Sequence, residues 1–79
     1  MVTIHRAGRL RIVIYSNDHA PAHVHAINPD GHCRINLESV GAPELISVDG
    51  MRAKDVREAQ RLVANNLDAF LAEWRRIHG

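Results

Sequence analysis

Residues 23–37, HVHAINPDGHCRINL, contain the clearest fold signal in the chain. Two segments in which polar and apolar residues alternate, 23–28 and 32–37, flank the tetrapeptide NPDG at 28–31. Proline and aspartate at the centre of this tetrapeptide suit a type I turn, and glycine suits the left-handed position that follows it. The stretch therefore predicts an antiparallel β-hairpin.

The register of this hairpin decides which side chains accompany its histidines. With a three-residue loop and a bulge, His25 lies opposite Ile35, at the edge of the core. With a two-residue loop, His25 lies opposite Arg34, and a polar face results that consists of His23, His25, His32 and Arg34. Turn chemistry favours the first register, because glycine fits the bulge position. A one-residue slip reverses every side chain, so only one of the two registers can hold.

Three further strands are predicted on either side of the hairpin. Residues 9–15, RLRIVIY, alternate between apolar and polar side chains, and residues 2–6 and 44–48 are shorter candidates. Glycine, proline or short polar stretches separate these segments. Because short connections join neighbouring antiparallel strands, the pattern favours a β-meander of four to five strands within residues 2–48.

The hydrophobic period changes at about residue 52. Apolar residues then recur at intervals of three and four, which marks one face of a helix; they are Val56, Ala59, Val63, Leu67, Phe70, Trp74 and Ile77. This stripe predicts one long C-terminal helix over about residues 52–78, with Asn65 and Asn66 as its weak point. The predicted fold class is α+β, in a single domain over residues 1–79, with the helix packed across the sheet. Any part of the stripe that the sheet leaves uncovered would favour a homodimer through this helix.

Composition excludes several classes of protein. A chain of 79 residues is too short for an enzyme with a separate cofactor-binding domain. Its one cysteine cannot form an intrachain disulfide, and no apolar run approaches the roughly 20 residues that span a bilayer. The N-terminus does not resemble a signal peptide. The sequence therefore predicts a cytoplasmic protein that does not engage a membrane.

Asp18 and three histidines lie within residues 18–25. On a strand, His23 and His25 point to the same face, where two imidazoles can share a metal ion or divide the roles of acid and base. Asp18 can orient an imidazole from the preceding loop, and Asp18 or His19 can complete a ligand set. The catalytic candidates are His23, His25 and Asp18, and the candidate ligands of a divalent transition metal are His19, His23, His25 and Asp18. Half-buried histidines bonded to the backbone are the structural alternative, so the sequence leaves open whether the chain is an enzyme and assigns no firm cofactor.

Arginine outnumbers lysine by nine to one, although the net charge is only +1. Arg9 and Arg11 share a face of the predicted strand, and Arg34 can join them from a neighbouring strand. A basic sheet face of this kind can bind a nucleic-acid backbone. Arg11 and Arg34, together with Asn17 and His19, are the substrate-binding candidates. The alternative is a solvated face whose arginines pair with glutamates.

The string YSNDHAPAHVH at residues 15–25 resembles the YSNDHxPxHVH signature of a small bacterial family of unknown function. The resemblance extends over nearly the whole chain, and in the C-terminal helix it includes Val63, Asn66, Leu71, Trp74, His78 and Gly79. Genes of this family often lie beside another small domain of unknown function, and such pairs are grouped with toxin–antitoxin modules. The resemblance therefore implies a cytoplasmic bacterial protein with a small cognate protein partner encoded by a neighbouring gene. It implies no substrate, metal or catalytic residue.

Three functions remain open on this basis. The first is a toxin-like effector that acts on RNA through the histidine cluster. The second is a non-catalytic partner-binding module, either an antitoxin or a regulator, that uses a sheet edge or the helix stripe. The third is a transition-metal-binding domain. The first is favoured, because the polar motif is denser than packing or partner binding requires.

Overall fold

The computed structural model describes residues 1–38 and 43–79. Within them the chain forms a sheet and two helices: β1 (Val2–Ala7), β2 (Leu10–Ile14), β3 (His23–Asn28), β4 (Gly31–Asn36), β5 (Glu44–Asp49), α1 (Ala53–Asn65) and α2 (Leu67–His78). The strands lie in the order β1-β2-β3-β4-β5, and each is antiparallel to its neighbours. The predicted α+β class and the antiparallel meander are confirmed.

Both helices pack on one face of the sheet, which is termed the core face. The strands contribute alternate residues that are buried there, including Ile12, Ile14, Val24, Ala26, Cys33 and Ile35. The helices contribute the matching apolar stripe, whose buried members are Val56, Ala59, Val63, Phe70 and Trp74. Removal of this aliphatic surface from water is the main force that holds the layers together. The opposite face of the sheet is termed the outer face.

The prediction of one long helix over about residues 52–78 is wrong, because the helix is broken at Asn66. The backbone there has φ −126° and ψ 21°, and Nδ2 of Asn66 donates to the carbonyl oxygen of Leu62 at 2.8 Å. An asparagine side chain that competes for backbone groups in this way ends α1. The backbone carbonyl oxygen of Asn66 accepts a hydrogen bond from the N–H of Phe70 at 2.9 Å, in the first turn of α2. Of the described residues, neither helix has the length and apolar character needed to cross a bilayer.

The hairpin register has the two-residue loop, so the bulged register that turn chemistry favours is wrong. Asn28 pairs with Gly31, and Oδ1 of Asn28 accepts the N–H groups of Asp30 at 2.9 Å and Gly31 at 3.0 Å. Gly31 does not adopt the left-handed backbone that the bulge requires. Glycine is needed there because a Cβ atom would overlap the carbonyl oxygen of Asp49.

This register arranges the outer face in rows of directly opposed residues. One row runs across all five strands and consists of Thr3, Val13, His25, Arg34 and Ser47. The adjacent row consists of Arg6, Arg11, Ile27 and His32. Opposed residues in an antiparallel pair lie on the same face. The outer face therefore carries two histidines and three arginines among its opposed residues, together with Thr3, Val13, Ile27 and Ser47.

Candidate functional site

The loop between β2 and β3 supplies the aspartate of the site. The loop begins with a turn that is closed by a hydrogen bond from the N–H of Asp18 to the carbonyl oxygen of Tyr15, at 3.0 Å. At the other end of the loop, the N–H of Ala22 donates to Oε2 of Glu38 at 3.1 Å. The strand β3 begins at the next residue, His23. The loop therefore folds back on the start of β3 and brings the carboxylate of Asp18 to its histidines.

One carboxylate oxygen of Asp18 lies close to two imidazoles. Its Oδ2 is 3.2 Å from Nε2 of His23 and 3.2 Å from Nε2 of His25. The two rings have centroids 5.2 Å apart, and one ligand atom from each of the three residues lies within 4.8 Å of the others. The three residues thus form a compact cluster, which is termed the Asp18/His23/His25 centre.

His23 is the most deeply buried member of this centre, and its side chain is only 9% exposed. Its Nδ1 is 2.9 Å from the carbonyl oxygen of Pro21. Because a carbonyl oxygen only accepts, Nδ1 is the donor and carries a proton. The other ring nitrogen, Nε2, is buried and has no hydrogen-bond partner, since its 3.2 Å approach to Asp18 is not aligned for a hydrogen bond. In the neutral ring this nitrogen presents a lone pair to a carboxylate oxygen.

His25 is bonded to the same carboxylate. Its Nε2 donates to Oδ2 of Asp18 at 3.2 Å, and the ring of Tyr15 packs edge-on against the imidazole with centroids 4.7 Å apart. The pKa of His25 is lowered from 6.5, chiefly because burial disfavours the charged ring. Asp18 opposes this shift, whereas Arg34 adds to it, as does the ring of His23 whenever that ring is protonated. The neutral imidazole that results is the form that binds a metal ion or accepts a proton.

The end of α2 packs against His23, and sequence reasoning did not predict this contact. The ring of Trp74 lies 5.2 Å from that of His23, between centroids, and stacks on the ring of His78 at 3.8 Å. The Nδ1 of His78 donates to the carbonyl oxygen of Trp74 at 3.0 Å, which holds the stack in place. The spacing of four residues between Trp74 and His78 is a sequence signal for their contact on a helix. No signal in the sequence brings either of them to His23.

The four predicted substrate-binding residues fall into two groups. Arg34 lies directly opposite His25, and Arg11 lies in the adjacent row of the outer face. Asn17 and His19 are exposed in the loop, and His19 is not part of the cluster of ligand atoms found among the described residues. Of the four candidate metal ligands, the structure therefore brings Asp18, His23 and His25 together and leaves His19 apart.

Two cavities differ in their relation to this centre. A cavity of about 240 Å³ opens on the outer face and is lined by Tyr15, His25, Ile27 and His32. A second cavity, of about 530 Å³, is lined by residues of the β1–β2 turn, the β3–β4 turn and the start of α1, and by none of the candidate site residues. Of these two cavities, the smaller one adjoins a histidine of the centre.

Cys33 lies apart from this chemistry, on the core face. Its side chain has no exposed surface, and burial raises the pKa of the thiol to about 11. A cysteine acts as a nucleophile or a metal ligand through its thiolate, which this environment suppresses. The polar chemistry of the site therefore rests on histidine and aspartate.

Fold and site together define a small α+β protein in which a loop aspartate meets two histidines at the start of the middle strand of a five-stranded meander. The model of the family described as "Domain of unknown function (DUF4160)" matches residues 10–75, and the chain belongs to this family. The matched segment includes Asp18, His23 and His25. Neither a curated protein nor a solved structure matches the chain. The predicted membership in a family of unknown function is confirmed in this form.

Proposed function

We propose that Asp18, His23 and His25 bind one divalent transition-metal ion, and that this centre is the functional site of the chain. The observation that carries the proposal is the buried Nε2 of His23, which has no hydrogen-bond partner and lies 3.2 Å from a carboxylate oxygen of Asp18. Two acceptor atoms so close together in a buried site repel each other unless a proton or a cation lies between them. The site therefore calls for a positively charged species.

The surroundings of His23 favour a metal ion over a proton. A shared proton requires a nitrogen and an oxygen aligned for a hydrogen bond, and the approach of Nε2 to Asp18 lacks that alignment. Coordination of both atoms to a common ion needs no such alignment. In addition, the bond from Nδ1 to the carbonyl oxygen of Pro21 is the outer-shell contact that orients metal-binding histidines in proteins.

The ligand set indicates the class of ion. Two imidazole nitrogens and one carboxylate oxygen suit Zn²⁺, Fe²⁺ and related ions. Bonds of about 2.0–2.2 Å place ligand atoms roughly 3–4 Å apart. The three atoms already lie within 4.8 Å of one another, so only small movements are needed. Binding of the ion would also displace the proton that Nε2 of His25 donates to Asp18, and that proton would move to Nδ1 of the ring or to solvent. Three protein ligands also leave a position for water, as in catalytic rather than structural zinc sites.

Hydrolysis is the chemistry that such a centre supports. A divalent ion of this class lowers the pKa of a bound water to about 7, which makes it a nucleophile at neutral pH. We propose that the substrate is an RNA phosphodiester and that the chain is the toxin-like member of a toxin–antitoxin-like pair. The family resemblance implies a bacterial cytoplasmic protein with a cognate partner, and the substrate and the toxin role are proposed from the site. Arg34, opposite His25, and Arg11 in the adjacent row then hold the phosphate.

Calorimetric titration of the chelator-treated protein with Zn²⁺ tests the metal proposal. One ion per chain is expected, with affinity that weakens as pH falls through about 6.5, where imidazoles take up protons. The variants His23→Gln and His25→Gln should each lose more than about a hundredfold in affinity, because even outer-shell partners are worth 10–100-fold. His32→Gln, an exposed histidine on the same face, is the matched control and should bind normally. Saturable binding that needs neither His23 nor His25 would contradict the proposal.

A metal-free acid–base centre is the second candidate function, favoured by the hydrogen bond between His25 and Asp18. A carboxylate that accepts from one histidine nitrogen orients the ring for proton transfer. Growth arrest on induction of the chain, absent for a folded His23→Ala/His25→Ala variant, tests toxin-like activity for both candidates. RNA cleavage that survives a chelator supports the acid–base centre, whereas cleavage lost with the chelator and restored by Zn²⁺ supports the metal centre. A well-expressed chain that causes no arrest would favour the partner-binding module, an antitoxin or a regulator.

Two protein partners belong to the same proposal. The first is the small cognate protein encoded by a neighbouring gene, and co-expression followed by co-purification tests it.

The second is another copy of the chain, bound through α2. Three apolar side chains of α2 are only partly buried against the core, so they offer an apolar surface to a second copy; they are Leu67, Leu71 and Ile77. Light scattering of the protein and of Leu71→Glu tests the homodimer: a dimer that the variant converts to a monomer supports it, and a monomeric wild type contradicts it.

A further inference from the structure

Three arginines lie on the outer face, in the row of His25 and in the adjacent row. Arg34 opposes His25 in one row, while Arg6 and Arg11 oppose each other at the end of the adjacent row. The ion pairs that the structure gives for Asp18, Asp30 and Glu73 include none of the three. Like charges directly opposite one another on a sheet are unfavourable, so the pair of Arg6 and Arg11 is not explained by stability. A bound polyanion would relieve this repulsion.

The cavity beside His25 lies within the same surface. Its lining combines an aromatic ring, Tyr15, with an aliphatic side chain, Ile27, and the imidazoles of His25 and His32. Ile27 stands between Arg11 and His32 in its row, so the apolar part of the cavity is flanked by cationic and polar groups. A ligand with flat heterocyclic rings on a negatively charged backbone matches both features. One ring enters the cavity, and the backbone charges contact the arginines.

We propose that the outer face binds single-stranded nucleic acid, with phosphates on Arg6, Arg11 and Arg34 and a base in the cavity lined by Tyr15, His25, Ile27 and His32. Single strands fit better than duplexes, because only an unpaired base can enter such a cavity and pack against an aromatic side chain. Since the cavity adjoins His25, this inference rests on the proposed function and positions its substrate at the same centre.

Fluorescence anisotropy with a labelled oligouridine RNA and the matching oligothymidine DNA tests the inference on the full chain in the presence of chelator. Binding to at least one of them is expected at low salt, and the two arms show which sugar is preferred. The logarithm of the affinity should fall with the logarithm of salt concentration with a slope of about −2, roughly −0.7 for each of three phosphate contacts. Arg34→Gln should make that slope shallower by about 0.7. Arg57→Gln, which removes an exposed arginine from α1, is the charge-matched control and should leave the slope unchanged.

The base-binding part of the inference has its own readout. Tyr15→Ala should lower the affinity roughly tenfold with the salt slope unchanged, because it removes stacking and no charge. Tyr15→Phe keeps the ring and should retain most of the affinity. A polyglutamate peptide of equal charge should compete poorly, since it offers phosphate-like charge without bases.

Several results would overturn the inference: no binding of either oligonucleotide at low salt, equal loss in Arg57→Gln and Arg34→Gln, or efficient competition by polyglutamate. The last result would indicate an acidic protein as the ligand. Because these titrations are made without metal, they are independent of the Zn²⁺ titration. If Zn²⁺ binds and the oligonucleotide does not, the nucleic-acid inference fails alone, and the converse result removes only the metal centre.

Discussion

The two faces of β3 are subject to different requirements. On the core face, Val24 and Ala26 are fully buried among aliphatic side chains, where volume and hydrophobicity are what matter. On the outer face, His23 and His25 contribute particular nitrogen atoms that meet one oxygen of Asp18. Strand alternation separates the two tasks, because neighbouring residues point in opposite directions. The comparison teaches that fold and site depend on different side chains of one strand, and that they meet at His23, whose ring lies against Trp74 of the core.

Substitution on the core face should produce the largest effect on stability. Ile35 has no exposed surface, and Ile35→Ala should lower the free energy of unfolding by about 2–5 kcal/mol, much of the stability of a small domain. Its neighbour on the outer face is the matched control, and Arg34→Ala should change that free energy by no more than about 0.5 kcal/mol. Urea unfolding followed by circular dichroism measures both. Equal destabilisation by the two variants would mean that the faces are not separable.

Removal of the charge of Asp18 should have the opposite result, because it should weaken the site and leave the fold intact. Asp18→Asn keeps the shape of the side chain and removes the charge, so Zn²⁺ affinity should fall about a hundredfold or more while the fold is retained. Asp30→Asn, in the exposed β3–β4 turn, is the control and should bind Zn²⁺ as the wild type does. Calorimetry gives the affinity and circular dichroism gives the fold. Unchanged affinity in Asp18→Asn would remove the carboxylate from the ligand set.

A moderate effect is expected from pH on the metal-free protein. The folded-state pKa of His25 is lowered from 6.5 by burial, so between the two pKa values the unfolded chain binds the proton better. The contribution of His25 to stability is therefore complete above pH 6.5 and is lost as pH falls through the folded-state pKa. The ring of His25 is surrounded by Asp18, His23, Tyr15 and Arg34. These four residues are present both in the wild type and in the variant His25→Gln, with which it is compared.

Urea unfolding in chelator at several pH values measures this dependence. The wild type should lose more stability than His25→Gln over this range, since the glutamine does not titrate. The histidines outside the Asp18/His23/His25 centre are common to both proteins, so their contributions cancel in the difference. Parallel pH profiles for the two proteins would mean that the burial of His25 has no energetic consequence.

The smallest effect is expected at Cys33, whose thiol should not react with a disulfide reagent in the native protein. Burial raises the pKa of its thiol to about 11, and the side chain has no exposed surface. A disulfide reagent should therefore leave the native protein unmodified at neutral pH and modify it fully in denaturant. Mass spectrometry distinguishes the two states. Rapid modification of the native protein would show that the core face opens more readily than its burial implies.

Periodicity in the sequence was enough to predict the meander and the helical region, because burial on one face imposes a period of two on strands and of 3.6 on helices. It could not predict the break at Asn66, since the apolar stripe continues in phase through Phe70 and Trp74. It also led to the wrong hairpin register. Gly31 suggested a left-handed turn position, whereas its role is a close approach to Asp49, a contact distant in sequence.

The candidate site was predictable to the extent that it depends on local spacing. His23 and His25 share a face because they are two residues apart, and Asp18 precedes them in a loop short enough to fold back. His19 could not be separated from this set by spacing alone, because the loop conformation depends on the tertiary hydrogen bond between Ala22 and Glu38. The packing of Trp74 against His23 joins distant parts of the chain and has no local signal.

Nitrogen-15 NMR of the histidine side chains, recorded with and without Zn²⁺, tests the central claim most directly. The chain has six histidines, so four of them serve as internal controls. The account predicts that Nε2 of His23 and Nε2 of His25 change to metal-coordinated shifts, that Nδ1 of His23 keeps its proton, and that the other four rings stay unchanged. Coordination by other histidines, or no change at His23 and His25 at saturating Zn²⁺, would contradict it.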